Sequence, residues 1–346
     1  MPDKIPVALI THAGGAHLGA YYAGLAASAE VESVVLADPD GNAEGPARQQ
    51  LGDRLKKVYA SAAELWQNEQ PKMALVSMEA KVAPSYIAQA LEAGAHVLAE
   101  KPACVRIEDF AAVAKLADSK HLNVMLAFAN RLHPAIIAAK KLLEAGAMGN
   151  IFGMELHLVA DQTRLTRPEY HQQWYAHKSR GGGGHLIWLG IHWLDLAMYL
   201  EKSSIKKVAG FTANVGGQPL DVEDSAAVAM QFENGTLGTL TSGYYLDKGY
   251  HSHIRLWGSL GWMELQLTEA MPLRWVSRQE GQPEGEQIYD GPMTPEGYTP
   301  FVQACVRSAA GLAAPPVTTA DSLRALQVVY GLYEAARTGA ASFTLH

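Results

Sequence analysis

The sequence predicts an α/β chain: a doubly wound parallel sheet in the first 125 residues, then an α/β domain built on a mainly antiparallel sheet over residues 126–346. Three observations carry this reading. The first third of the chain alternates short, near-continuous apolar runs with helical stretches, as expected of parallel strands buried on both faces and connected through helices. Beyond residue 150, strand-like segments follow one another through turn signals, which implies hairpins. The length of 346 residues suits two domains of ~150 residues.

In order, "PVALI" (6–10), "ESVVLAD" (32–38), "MALVSM" (73–78), "HVLAEK" (96–101) and "LNVMLAF" (122–128) read as buried strands. Helical patterns lie between them at 18–29, 45–55, 83–94 and 106–119. In the second domain "NIFGMELHLVA", "IKKVAGFTANV", "DSAAVAMQFENGTLGTLTSGYYL", "HSHIRLWGSLGWMELQL" and "LRWVSR" read as strands, with "ENGT" (233–236) and "GSLG" (258–261) as hairpin turns. The segment 319–339 has Thr and Asp at its start and Gly at its end, the signature of a closing helix.

Composition removes several function classes. The chain is 48% hydrophobic and 18% charged, with a formal net charge of −7, which argues against a nucleic-acid surface. The apolar runs 71–78 and 186–200 are interrupted or too short for a bilayer, which takes ~20 residues. Cys104 and Cys305 stand alone and suggest no disulfide framework. The N-terminus enters a strand-like run almost at once, without a signal-peptide pattern, so a cytoplasmic location is expected.

The loop after the first strand reads "THAGGAHLGAYYAGL" (11–25). Small residues at a first βα turn let backbone N–H groups and the helix N-terminus approach a pyrophosphate. Gly14, Gly15 and Gly19 could serve, although they do not form a strict G-x-G-x-x-G, and His12 and His17 are unusual neighbours. A tight structural turn would need the same glycines. Asp38 ends the second strand, where a carboxylate can accept from both hydroxyls of an adenine ribose and repel a 2′-phosphate, so NAD is expected rather than NADP. An Asp opening an Asp-Pro turn is the plainer alternative. Lys101, at the end of the fourth apolar run, points toward the crevice where open α/β sheets bind ligands.

The stretch "GGGGHLIWLGIHWLDLAMYL" (181–200) raises a separate question. At about 100° per residue, His185, Trp188 and His192 would fall on one helix face. A zinc shared by the two histidines is not expected, since seven residues of helix separate them by ~10 Å; no metal is expected. The connection 161–180 is rich in Arg, His, Tyr and Trp, and Arg164, Arg167, Lys178 and Arg180 could recognise an anionic group or simply be solvated. His251 and His253 alternate on one strand face, where a satisfied sheet surface is the natural reading.

Glu100-Lys101-Pro102 after "ALEAGAHVLA" resembles the E-K-P signature of the Gfo/Idh/MocA oxidoreductases, the glucose–fructose oxidoreductase and inositol dehydrogenase type. Further matches follow in register at 130–154, 182–195, 222–238 and 317–339. The resemblance implies a Rossmann domain and a second domain whose large open sheet mediates homodimers or homotetramers. It implies hydride transfer between NAD and a carbinol carbon of a sugar, cyclic polyol or derivative. The family's lysine maps on Lys101, and its G-x-H-x-x-D motif on Gly190, His192 and Asp195. Lys101 would polarise the reacting hydroxyl and His192 would take its proton. Cofactor contacts are expected from Thr11, His12, Gly14, Gly15, His17, Leu18, Asp38, Ser77, Met78, Glu100 and Lys101. Substrate contacts are expected from Lys101, Arg131, Arg164, Lys178, Trp188 and His192.

The sequence departs from the family at two places. Trp188 stands where an aspartate is usual, and Met78-Glu79-Ala80 replaces the usual Thr-Pro-Asn. His185 is the expected replacement for the aspartate as a third catalytic group. Simple oxidation of a secondary hydroxyl is the first expectation. Glycoside cleavage through transient oxidation and elimination, without net NADH, is the alternative; a non-catalytic nucleotide sensor is a third.

Overall fold

The structure, a computed structural model, describes residues 4–344; the Arg164 side chain lies outside the described residues. The chain forms two compact units. One comprises residues 1–129 with 179–182 and 296–323, the other 130–178 with 183–295 and 324–346.

The first unit alternates β1 (Ile5–Thr11), α1 (Leu18–Ala27), β2 (Val31–Ala37), α2 (Glu44–Leu51), β3 (Leu55–Tyr59), α3 (Ala62–Asn68), β4 (Met73–Ser77), α4 (Ala83–Glu92), β5 (His96–Ala99), α5 (Ile107–Ser119) and β6 (Val124–Leu126). All six strands are parallel, in the order β3-β2-β1-β4-β5-β6. This is a doubly wound sheet whose order reverses between β1 and β4, where such sheets bind ligands. Val7 to Ile10 of β1 and Met73 to Val76 of β4 are buried, which explains their unbroken apolar runs. The strand β3 was not expected from the sequence. It carries Lys56 and Lys57 on an edge, where charge blunts unwanted pairing.

Two later segments complete this unit. Helix α10 (Tyr298–Ala309) packs on α1, where a Cβ at Gly24 would lie 2.6 Å from the Val302 side chain. The start of α11 (Thr319–Thr338) covers the free edge of β6: Thr319 and Ser322 accept the N–H groups of Val124 and Leu126. An open edge thus has its backbone donors satisfied by hydroxyls.

In the second unit, α6 (Pro134–Glu144) leads to β7 (Ile151–Asp161) and the short helix α7 (Pro168–His171), and the next short helix, α8 (Lys178–Gly181), falls mostly in the first. A π turn (Leu186–Gly190) runs into α9 (Ile191–Glu201). Then come β8 (Ile205–Ala213), β9 (Ser225–Phe232), β10 (Leu237–Leu246), β11 (Tyr250–Gly258), β12 (Gly261–Leu265), β13 (Leu273–Ser277), β14 (Gln287–Ile288) and, after α11, β15 (Ser342–Phe343). They form one sheet of nine strands, β14-β13-β12-β11-β7-β10-β9-β8-β15. Only β7 and β10 pair in parallel. The Asn234-Gly235 turn closes the β9–β10 hairpin with Gly235 at φ 97°. Met154, Leu156 and Leu158 of β7 face inward, and α9 contacts this strand. No helix among the described residues is long and apolar enough to cross a membrane.

Candidate functional site

In the first unit, six residues separate β1 from α1, and two hydroxyls pin this loop to the end of β4. Thr11 Oγ1 donates to Ser77 O (3.0 Å), and Ser77 Oγ donates to Ala16 O (2.8 Å). Gly15 is demanded by that closeness: a Cβ there would lie 2.1 Å from Thr11 Oγ1. Gly14 takes φ 102°, a conformation open to glycine. His12 also serves the loop, since its Nε2 accepts from Glu79 N–H (2.9 Å). The first turn of α1 carries no acidic residue, leaving its positive end clear for an anion.

Asp38 follows β2 and is 5% exposed. Its Oδ2 accepts from the N–H groups of Ala43 and Glu44 (2.7 and 3.1 Å), capping α2. Its Oδ1 is buried without a hydrogen-bond partner among the described residues. Burying a carboxylate oxygen that way is costly, and a ribose hydroxyl is a donor that would relieve it. One oxygen of the carboxylate thus holds the following loop, and the other is left for a donor. This unpartnered acceptor and the bare helix terminus together fit a dinucleotide.

Glu100 and Lys101 follow β5 and are each 1% exposed. Glu100 accepts from Tyr21 Oη, pairs with His17 Nδ1 at 2.9 Å, and has Lys101 Nζ at 4.0 Å. Burial pushes this carboxyl up, but the hydrogen bond and charge of His17, with Lys101 and Tyr21, hold it below the usual range. His17 sits at the N-cap of α1 at φ 58° and stacks on the Tyr298 ring, 4.9 Å between centroids. Tyr21 and Tyr298 were not foreseen: Tyr21 stands in the glycine-loop stretch as an aromatic on the following helix, and Tyr298 lies in no motif. Met78 is buried. Its neighbour Glu79 is paired with Arg180, so that arginine is engaged rather than open to an anion.

In the second unit, two of the four glycines are explained by close approach to Glu223 and Tyr333. A Cβ at Gly184 would lie 1.8 Å from Glu223 O, and one at Gly183 would lie 2.0 Å from Tyr333 Oη. The expected single face of His185, Trp188 and His192 is not found, because residues 186–190 form a π turn in which Ile191 N–H reaches back to Leu186 O. The wider turn changes the angular step, and the three side chains meet different surroundings. His185 is fully buried; its Nδ1 shares a 2.6 Å hydrogen bond with Ser242 Oγ, and Tyr244 packs edge-on at 4.3 Å. These are the surroundings of a core histidine, and the expectation that it replaces the aspartate is withdrawn. Trp188 lies against Tyr175 (5.0 Å) and Trp174 (5.4 Å). His192 is half-buried in the first turn of α9.

Arg131 is also reassigned. It is 5% exposed and grips Asp195 with two hydrogen bonds, Nε to Oδ2 (2.9 Å) and Nη2 to Oδ1 (2.6 Å), while its guanidinium lies over the Tyr199 ring. This bidentate fork fixes α9 and leaves Arg131 a structural part. Lys178 has an exposed side chain, and its backbone N–H donates to Asp221 (2.7 Å); Arg167 is exposed. His253 pairs with Glu155 (3.2 Å) and stacks on His157, a satisfied sheet surface as the alternation suggested. Burial and His253 lower the His157 pKa.

This is the outline of an oxidoreductase with a dinucleotide-binding unit, and comparison with known proteins agrees. Residues 10–128 match the oxidoreductase family with an NAD-binding Rossmann fold, and residues 136–264 match the GFO/IDH/MocA C-terminal domain. The chain belongs to the Gfo/Idh/MocA oxidoreductase family, and its first unit is an NAD-binding Rossmann domain. Among similar proteins, levoglucosan dehydrogenase of Pseudarthrobacter phenanthrenivorans is 31% identical over 172 residues, 44% of each chain. The dTDP-3,4-didehydro-2,6-dideoxy-α-D-glucose 3-reductase of Saccharopolyspora spinosa is 28% identical over 190 residues, 55% of this chain and 54% of that one. The chain spans about half the length of the curated relatives it matches. Levoglucosan dehydrogenase solved with NADH and levoglucosan superposes with a TM-score of 0.86 at 19% identity, covering 99% of this chain and 100% of that one. An oxidoreductase domain protein from Kribbella flavida gives 0.86 at 22%, covering both chains fully. At these identities the likeness speaks for the fold.

Proposed function

We propose that the protein is an NAD-dependent oxidoreductase acting on a secondary hydroxyl of a sugar, cyclic polyol or glycoside. The observation that carries the reading is Lys101, buried at the C-terminal end of a central parallel strand of an NAD-binding domain. When bound, NAD supplies the hydride acceptor; the rest is done by the chain. The free oxygen of Asp38 accepts from the adenine ribose, and its charge excludes a 2′-phosphate. The loop 12–17 and the N-terminus of α1 receive the pyrophosphate. Lys101 polarises the reacting hydroxyl, Glu100 holds Lys101 by charge, and His192 takes the hydroxyl proton. The resemblance to two sugar-acting enzymes supports the substrate class.

Trp188 favours a second reading. An indole has a donor and no proton-accepting group, so this position offers a flat apolar surface instead of a second base. That surface would stack on a sugar ring during glycoside cleavage: oxidation to the ketone, removal of the adjacent C–H proton by His192 with loss of the aglycone, addition of water to the enone and return of the hydride would regenerate NAD in each cycle. Incubation with NAD and a panel of polyols, free sugars and glycosides separates the readings. Net NADH supports oxidation, aglycone release without NADH supports cleavage, and binding without turnover of any compound supports a sensor.

The outer sheet face exposes Phe211 (77%), Leu237 (60%), Trp257 (43%) and Phe343 (64%). Exposed apolar side chains gathered on one sheet face suit a contact surface, and we read it as the contact for a homodimer or homotetramer. Phe211→Glu should shift the sedimentation coefficient toward the monomer.

A further inference from the structure

One residue of the second unit receives three consecutive backbone donors at the start of the segment that carries His192. Gly184 N–H donates to Glu223 Oε2 (2.8 Å), His185 N–H to Glu223 O (3.0 Å), and Leu186 N–H to Glu223 Oε1 (3.0 Å). A helix leaves its first N–H groups without internal partners, and a single capping side chain ordinarily satisfies one of them. Here a carboxylate and its own carbonyl satisfy three, with negative charge at the positive end of the helix.

The carboxylate is itself held. Tyr333 Oη donates to Glu223 Oε1 at 2.9 Å. Gly183 and Gly184 are the condition for this, since any side chain at either would strike Tyr333 or the Glu223 backbone. Downstream, the π turn ends at Ile191, whose N–H bonds to Leu186 O, the same residue whose N–H is fixed by Glu223. His192 is the next residue. The rotation of α9 about its axis is therefore referred to Glu223 through one hydrogen bond at each end of the π turn.

We propose that Glu223, locked by Tyr333, is a positioning residue that sets the orientation of the His192 imidazole. This rests on the reading of His192 as the proton acceptor. Glu223 touches none of the groups assigned to substrate or NAD. Its carboxyl is pushed above the usual range by burial, against the hydrogen bonds from Gly184, Tyr333 and Leu186. Three donors converge on the two carboxylate oxygens, so Glu223→Gln keeps the size but must turn its amide NH2 toward Gly184 or Leu186, breaking the side-chain cap on that side.

The test uses ligand-free protein carrying isotope-labelled histidine, with the His192 signals identified by their loss in His192→Gln. In Glu223→Gln the His192 signals should move or split, while those of His121 in the first unit stay fixed. With a turned-over substrate, kcat should fall at least tenfold with KM and the NAD dissociation constant within twofold. Tyr333→Phe removes one donor and keeps the ring; it should move the same signals less and lower kcat about threefold. Unchanged His192 signals in Glu223→Gln overturn the proposal, as does an equal loss in kcat and NAD affinity. If Glu223→Gln does not fold, unchanged signals in Tyr333→Phe overturn it. A wild-type protein that turns over no sugar, polyol or glycoside refutes the proposed function, and the spectra still decide the role of Glu223.

Discussion

His185 Nδ1 lies 2.6 Å from Ser242 Oγ, and this pair joins the glycine-rich segment to the inner face of the large sheet. A histidine so placed stabilises the fold rather than moving a proton. His185→Ala should cost about 2 kcal/mol through a lost hydrogen bond and a cavity, read by urea unfolding. Its kcat should stay within a few-fold of wild type. Combined with His192→Ala, the effects on kcat should add, as for residues that do not act as one unit.

Asp38 should decide the cofactor. Asp38→Ser removes the oxygen that lacks a partner, and it also weakens the cap on α2. NAD affinity should fall about tenfold, equivalent to ~1.4 kcal/mol, while NADP affinity rises. Calorimetric titration with both cofactors checks this, and equal wild-type affinity for NADP would refute the assignment.

Arg131 and Asp195 form a pair whose halves are worth little alone. Arg131→Met or Asp195→Leu leaves a buried charge uncompensated and should cost ~3–5 kcal/mol. The double substitution Arg131→Met with Asp195→Leu should recover most of that loss. Chemical denaturation of the three variants gives the coupling directly.

Glu100 sets part of the acid sensitivity of the first unit. Its folded pKa lies below the ordinary value because His17, Lys101 and Tyr21 outweigh burial. The resulting stabilisation is present above the unfolded pKa of ~4.3 and is lost as pH falls through the lower folded value. Glu100→Gln should therefore be less stable than wild type at neutral pH, with the gap closing in strong acid. Melting temperatures across that range test the sign.

The doubly wound sheet was legible because buried parallel strands leave uninterrupted apolar runs, as at 73–77, and the Asn234-Gly235 turn announced its hairpin. Strand β3 was hidden because an edge strand with two lysines resembles the end of a helix. The face shared by His185, Trp188 and His192 failed for a different reason: the 100° step holds for an α-helix, and a π turn intervenes. Nothing in the local sequence marks that turn. The Glu223 carboxylate that accepts from the N–H groups at its start lies 37 residues from Leu186 along the chain. The four glycines were the available signal, since they report a backbone or side chain that must come close. Arg131 misled because a buried arginine and a substrate-binding one look alike until the partner, Asp195, is placed.

Lys101 carries the central claim about chemistry. Lys101→Ala should lower kcat by at least ~100-fold, the scale of one lost acid–base or polarising group, with NAD affinity near wild type. Activity within a few-fold of wild type would mean that the reacting centre is elsewhere.

The most direct measurement follows an isotope. Protein and NAD are incubated with sugars, polyols and glycosides deuterated at their carbinol carbons, and the recovered nicotinamide is analysed by mass. The account predicts deuterium on the nicotinamide ring with at least one such compound, and none with Lys101→Ala. A nicotinamide that stays free of deuterium with every compound would contradict net oxidation of a carbinol carbon.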